Sequence, residues 1–268
     1  MPKPLKAGYA QWARENIDFD PDDPQFRRRF AGNVQSLQTT IEQSDAWSSL
    51  GERLPAFADR YREERGFGLF TGNPQKPGLL RKSIESAVEK TFRINVLENQ
   101  FFPNPPYIKG THQWLVEDNL YRILKDLVRC RIVCRYMDGP EYLCSLVHES
   151  MQPDLDVTYK SMESDLGYYS WHLSIPVTAG VMKSNGNIVD ENARYEVQIT
   201  TQLQDVLNDL THAFYEDKRI GDAIEPIPWR WRPHEAKFQG VYFGHTLHML
   251  EGMLVELKRK ILKDQHDD

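Results

Sequence analysis

The sequence predicts an α+β protein, on three observations. Helical spacing runs through residues 24–64, a β pattern fills about 127–201, and helical spacing returns at about 202–217 and 234–263. Helices, then strands, then helices point to a mostly antiparallel or mixed sheet covered by helices.

Taken in order, residues 1–20 read as a loosely ordered lead-in, and Asp20-Pro21-Asp22-Asp23-Pro24 offers caps for the helix after it. Segments of roughly 24–45 and 47–64 are helical, with Phe26, Phe30, Val34 and Leu37 about one turn apart. Arg27-Arg28-Arg29 interrupts that stripe and reads as a solvated face. Gly72-Asn73-Pro74 and Pro77-Gly78 mark a turn before a helix of roughly 79–93, and Phe102-Pro103-Asn104-Pro105-Pro106 reads as an exposed loop. Strands at 127–136, 170–177 and 194–200 surround a short helix near 139–150 and a weaker strand near 154–160. Asn185-Gly186, between the last two main strands, signals a hairpin.

The 268 residues fit one large domain, or one domain with helical additions, and 40% hydrophobic content suffices for a packed core. A net charge of −6 excludes a general nucleic-acid coat, so any nucleic-acid contact must be local. The opening residues lack a signal-peptide apolar run, and no stretch approaches the ~20 apolar residues of a membrane span. Cys130, Cys134 and Cys144 form no CxxC pair, and packing is their expected job. The expectation is a cytoplasmic protein with no membrane partner.

On the helix of 79–93, Lys82, Ser86, Lys90 and Arg93 fall within a sector of roughly 80°. Leu80, Ile84 and Val88 supply an apolar stripe beside them. Three cations and a hydroxyl on one face can hold a polyphosphate. A solvated helix balanced by Glu85 and Glu89 fits the same spacing.

Strand parity separates Val128, Cys130, Ile132, Cys134 and Tyr136 from Leu127, Arg129, Arg131, Val133 and Arg135. It likewise opposes Tyr195, Val197 and Ile199 to Glu196, Gln198 and Thr200, and Trp171, Leu173, Ile175 and Val177 to Ser170, His172 and Ser174. A sheet covered on one side and wet on the other explains that much. With Asp126 at the entrance to the first strand, Asp126 and Glu196 can also share a divalent ion, since Mg2+ favours one or two carboxylates plus phosphate oxygens.

Four segments in order then resemble the synthetase domain of RelA/SpoT-type proteins, especially the small alarmone synthetases. They are Lys82-xxx-Ser86-xxx-Lys90 with Arg93, Asp126-Leu-Val-Arg-Cys-Arg131, Gly167-Tyr168-Tyr169-Ser170-Trp171-His172, and Glu196-Val-Gln198-Ile-Thr-Thr201 followed by His212. The match covers about 79–218, roughly half of the chain.

The resemblance implies a fold related to the DNA-polymerase-β nucleotidyltransferases, with a mixed sheet of about five strands flanked by helices. Its domain would span 78–220, between an N-terminal helical extension of 1–77 and a C-terminal loop and long helix of 221–268. It implies an ATP-dependent pyrophosphokinase that moves a diphosphate to the 3′-hydroxyl of GDP or GTP, making (p)ppGpp. By carry-over Lys82, Ser86, Lys90, Arg93 and Arg131 would bind ATP, while Asp126 and Glu196 would be catalytic and hold Mg2+. Tyr168 would stack on the acceptor base, and His172, Gln198 and His212 would complete the acceptor side.

The sequence departs from the pattern at Leu80, Ser164, Thr200, Leu207 and Thr211, with Lys160 a substitute for the lysine missing at Ser164. Two alternatives stay open. Toxic small alarmone synthetases place the diphosphate on the tRNA 3′-CCA end or on adenine nucleotides, and Arg27-Arg28-Arg29 with Pro228-Trp229-Arg230-Trp231-Arg232-Pro233 would serve tRNA. An inactive nucleotide sensor or partner-binding module is the other, with Thr200 as its warning. An antitoxin protein is a further partner to consider.

His245, His248 and Glu251 share one side of the last helix, where a packed histidine pair is expected rather than a zinc site. The two tryptophans of 229–231 are expected to be buried pins of their loop. The apolar face of the last helix, Val241, Leu247, Leu250, Met253, Leu254, Leu257 and Ile261, should dock on the domain or form a homo-oligomer interface.

Overall fold

The structure, a computed structural model, describes residues 2–72, 76–152, 154–219 and 229–267, and for 211–219, 229 and 265–267 the backbone course alone. Asn73 and Pro74 of the expected turn, and Pro228 and the Trp229 side chain, lie outside the described residues.

Helices α1 (Tyr9–Asn16), α2 (Pro24–Glu42) and α3 (Asp45–Arg65) lead. The lead-in is therefore not loose: Tyr9, Trp12, Ala13, Ile17 and Phe19 are buried. Two short turns of helix carry too few apolar repeats for periodicity to register, yet each aromatic finds a tertiary partner. The Tyr9 hydroxyl donates to Thr91 Oγ1 at 3.0 Å and accepts from Asn95 Nδ2 at 3.0 Å. Asp23 caps α2 as expected, accepting from the Gln25 and Phe26 N–H groups, a cap worth about 1 kcal/mol.

Next come β1 (Leu80–Arg81), α4 (Ile84–Phe92), a π-helical turn at Arg93–Leu97, a small hairpin of β2 (Tyr107–Ile108) and β3 (Thr111–His112), and α5 (Leu120–Ile123). The expected helix of 79–93 thus starts late. Ser83 stops the strand and caps α4, its Oγ accepting from the Ser86 N–H at 3.2 Å, so Lys82 precedes the helix. The buried side of α4 is Ala87, Thr91 and Phe92, not the stripe of Leu80, Ile84 and Val88, and Leu80 is exposed on its strand.

The rest follows as β4 (Val128–Cys134), α6 (Gly139–Met151), β5 (Thr158–Glu163), β6 (Tyr169–Met182), β7 (Ile188–Thr201), α7 (Gln202–Arg219) and α8 (Ala236–Asp267). The long arms β6 and β7 meet at Asn185-Gly186, where Gly186 takes φ +82°, a left-handed conformation that needs no Cβ to be accommodated. The strand order is β1-β4-β7-β6-β5 in a mixed five-stranded sheet flanked by helices. The expected parity holds on β4, where Val128, Cys130, Ile132 and Cys134 are buried and Arg129 and Arg131 half-buried. It fails in part on β6 and β7, because Ser170, Ser174 and Thr200 are buried too. That face is covered in part, with His172, Glu196 and Gln198 half-buried on it.

The chain divides into two compact units. The first is Met1–Trp47, Leu79–Arg129 and Ile175–Glu196, and the second is Ser48–Gly78, Cys130–Ser174 and Val197–Asp268. Phe26, Phe30, Leu37, Leu115 and Tyr121 build the core of the first, and Leu54, Leu69, Cys134, Leu143, Cys144 and Leu173 that of the second. Among the described residues no helix is long and apolar enough to cross a membrane.

Candidate active site

In the first unit, β1 pairs antiparallel with β4, Arg81 opposite Val128, and the Lys82 N–H continues the ladder by donating to the Leu127 carbonyl at 2.8 Å. That ladder sets Lys82 beside Asp126, the residue two before β4. Lys82 Nζ donates to Asp126 Oδ2 at 3.0 Å, and Lys90, from α4, lies 2.8 Å from Oδ1. Lys82 and Lys90 therefore converge as expected, but through a strand end and a helix rather than along one helical face.

Burial pushes the Asp126 carboxyl upward, yet Lys90 and Lys82 outweigh burial and hold it at about 2. It is a carboxylate at neutral pH. Burial also presses Lys82 below the usual ammonium range, against the pull of Asp126. The arrangement is a shared anion between two cations, one of them uneasy in its surroundings. Polyphosphate oxygens would satisfy both ammonium groups and release the carboxylate to a metal ion.

Arg93 departs from this group. The π-helical turn after α4 carries Glu98 within reach, and Arg93 Nη2 pairs with Glu98 Oε1 at 2.7 Å on the surface. Ser86 stands in the first turn of α4 and is half-buried. Glu196, between the buried Tyr195 and Val197 on β7, is half-buried and belongs to the same unit as Asp126, on a strand neighbouring β4.

In the second unit, the Tyr168 hydroxyl lies 3.0 Å from His172 Nε2, with the rings edge to face. Lys160 is the cross-strand partner of His172, so both side chains leave the same face of the β5–β6 hairpin. Lys160 thus stands next to His172. Ser164 is spent on the turn: its Oγ accepts from the Leu166 N–H at 3.0 Å. Gln198 is half-buried on β7. The side chain of His212, like that of Thr211, lies outside the described residues.

Arg131 is held by α7, donating to Asp205 at 2.7 Å and Asp209 at 3.1 Å. Sequence reading missed these two aspartates, although their i, i+4 spacing on a helix marks a common face. Thr200 gains a role as well, its Oγ1 donating to the Tyr169 carbonyl at 3.2 Å. Leu207 is a buried apolar residue.

Other expectations need correction. Arg29 is not solvated but forms a forked pair with Glu117 at 2.6 and 2.9 Å, and Arg27 bonds Glu85 at 3.1 Å, which leaves Arg28 exposed. Trp231 is no buried pin, being 86% exposed, because the short 3-10 turn around it turns the ring outward. The packed histidine pair is found as expected, with His245 and His248 both against Tyr169.

The fold and this set of side chains define an α+β protein with a lysine-clasped carboxylate at the sheet entrance. No protein-family model matches the sequence, and no curated protein matches it. Solved structures do match. A GTP pyrophosphokinase family protein from Streptococcus pneumoniae is 19% identical, with 86% of this chain and 95% of that one covered and a TM-score of 0.53. The small alarmone synthetase 1 from Bacillus subtilis is 15% identical over 85% and 97% of the two chains, at 0.51. Small alarmone synthetase 2 from the same organism is 18% identical over 84% and 98%, at 0.50. The chain has the fold of the small alarmone synthetases.

Proposed function

We propose that this protein is a Mg2+-dependent pyrophosphokinase that transfers the β,γ-diphosphate of ATP to the 3′-hydroxyl of a guanine nucleotide. The observation that carries the reading is Asp126, buried, ionised and shared by Lys82 and Lys90. A buried carboxylate flanked by two cations suits a metal-nucleotide donor. Asp126 and Glu196 would hold Mg2+, which when bound neutralises charge on the phosphates.

The side chains of this protein would do the rest. Lys82 and Lys90 pass from Asp126 to phosphate oxygens and fix the donor in line, the main source of rate in phosphoryl transfer. Glu196 accepts the proton of the 3′-hydroxyl as its oxygen bonds to the β-phosphorus. The bond from that phosphorus to the α,β-bridging oxygen breaks, and AMP leaves. Tyr168 stacks on the acceptor base, an interaction worth roughly 1–3 kcal/mol that discriminates poorly between bases. His172, with Lys160 beside it, and Gln198 serve the acceptor's ribose and phosphates.

Two observations favour a nucleotide acceptor on an active enzyme. Arg27 and Arg29 are spent on Glu85 and Glu117, which weakens the arginine triplet as a tRNA contact. Thr200 supports the Tyr169 backbone, so it reads as a working residue and not as decay. The test is product analysis with γ-labelled ATP and Mg2+, offering GDP, GTP, AMP, ATP and deacylated tRNA in parallel. Label in a guanosine product, absent with Glu196→Gln, is expected. Label on tRNA or on an adenine nucleotide instead would replace the acceptor, and no transfer at all would refute the enzyme.

A further inference from the structure

Helix α8 docks on its unit by a mixed side, on which Val241, Gly244 and Val255 are buried beside polar residues. His245, His248, Glu251 and Lys258 lie on one side of the helix and are engaged by the second unit, whereas Met249, Met253, Leu254 and Leu257 are exposed. Val241 and Val255 supply apolar burial, and the directional polar contacts set the register of docking. Two of them converge on one residue: the Tyr169 hydroxyl lies 2.7 Å from His245 Nδ1, and the Tyr169 ring stacks on His248 at 3.6 Å with an interplanar angle of 2°. His245 also reaches the Asp165 carbonyl through Nε2 at 3.3 Å.

The same turn meets α8 backbone to backbone. Residues Ser164–Tyr168 connect β5 to β6, closed by the Ser164 N–H donating to the Tyr168 carbonyl at 3.1 Å. Gly167 takes φ +79° there, and a Cβ on it would lie 2.6 Å from the Val241 carbonyl oxygen. A Cβ on Gly244 would lie 2.4 Å from the Gly167 carbonyl oxygen. Both positions require glycine because two backbones touch.

Tyr168 ends the connector and Tyr169 opens β6, and the two side chains reach different partners, His172 for Tyr168 and His245 with His248 for Tyr169. Whatever fixes Tyr169 therefore fixes the backbone from which Tyr168 projects. Thr200 adds a bond to the Tyr169 carbonyl, and His172 holds the Tyr168 hydroxyl.

We propose that α8 is a positioning element for the acceptor, in which His245, His248 and Gly244 seat the Ser164–Tyr169 turn and so set the pose of the Tyr168 ring. The inference rests on the pyrophosphokinase reading, which makes Tyr168 the platform for the acceptor base. His245 and His248 touch no reacting atom; they act through Tyr169. A platform held in place before the acceptor arrives loses less freedom on binding, so the effect belongs to acceptor affinity.

The experiment compares Gly244→Ala, His248→Ala and His248→Phe with the wild type. Steady-state transfer from γ-labelled ATP is measured with each substrate varied, alongside hydrogen exchange of residues 158–172. Alanine suits a helix better than glycine, so Gly244→Ala should leave α8 formed while pushing the turn away. We expect acceptor KM to rise roughly ten-fold or more in both alanine variants, with ATP KM held within about two-fold. The turn should exchange faster in both, and His248→Phe, which restores a stacking ring, should recover most of the loss.

An active wild type whose variants keep their acceptor KM overturns this inference alone. So does a parallel rise in both KM values, which marks general damage. A wild type that transfers no label overturns the pyrophosphokinase reading and the acceptor role with it, and unchanged exchange in the turn then also removes the seating by α8.

Discussion

Asp126 and Lys82 are tied twice: the Lys82 N–H extends the β1–β4 ladder to the Leu127 carbonyl, and its ammonium reaches back to Asp126 at 3.0 Å. Backbone and side chain thus fix the same pair, and Lys90 closes on the other carboxylate oxygen. Asp126→Asn should therefore separate donor binding from catalysis. With the carboxylate gone, both lysines are free for phosphate, and ATP binding without Mg2+ should tighten. Transfer with Mg2+ should fall by on the order of a hundred-fold or more, as when one electrostatic partner of a transition state is removed. Titration calorimetry and labelled transfer check the two halves.

The same pair gives a pH signature. Asp126 is held at about 2, below its ordinary value, so its ion pairs stabilise the fold above the unfolded-state pKa and the contribution is lost as pH falls from about 4 to about 2. The wild type should lose roughly 2 kcal/mol across that window that Asp126→Asn does not lose. Urea unfolding of both proteins at stepped pH reads the difference, and parallel curves would contradict it.

Much of this was legible beforehand. The alternation Val128, Cys130, Ile132, Cys134 specified a buried strand face because side-chain period decides burial in a sheet. Asp23 before Pro24 specified a helix start because cap chemistry is local. The convergence of Lys82 and Lys90 was foreseen with the wrong geometry, since apolar spacing across 80–88 hid the capping role of Ser83. The resemblance assigns Arg93 and Arg131 to ATP, and their partners Glu98, Asp205 and Asp209 are chosen by a π-turn and by tertiary packing, which no spacing rule contains. Trp231 failed for the opposite reason: aromatic character predicts burial on average, but a short turn with arginines on both sides can leave the ring in water.

Arg131 offers a different test. Its guanidinium is occupied by Asp205 and Asp209, so a phosphate must compete for it. Asp205→Asn should release it and lower the apparent Kd for ATP by about three- to ten-fold, the gain expected when a competing state is depopulated. Arg131→Lys should not reproduce that gain, because a lysine lacks the forked donors. Equal affinity in wild type and Asp205→Asn would remove Arg131 from the donor site.

On the acceptor side, Tyr168→Ala should raise acceptor KM roughly ten-fold or more while leaving ATP KM close to that of the wild type, the loss expected for one stacking platform. Tyr168→Phe keeps the ring and gives up only the contact to His172, so its effect should be clearly smaller. Equal loss toward both substrates in Tyr168→Ala would count against stacking.

Lys258 tests how α8 is held. It is 4% exposed, donates to both Asp138 oxygens at 2.8 and 2.7 Å and to the Tyr61 hydroxyl at 2.7 Å, and stands 5.0, 4.8 and 5.8 Å from the rings of Tyr61, Tyr136 and Phe67. Burial lowers its pKa while Asp138 opposes the shift, the balance of a charge tolerated for its partner. Removing one member strands the other, so Lys258→Met alone should cost roughly 3–5 kcal/mol. Replacing both, as Lys258→Met with Asp138→Leu, exchanges the ion pair for apolar packing and should cost much less than the sum of the single changes. A double-mutant cycle by urea unfolding measures that coupling. Additive costs would mean that the aromatic rings, rather than the ion pair, hold the lysine, and α8 would then be pinned by its stem and not by its charge.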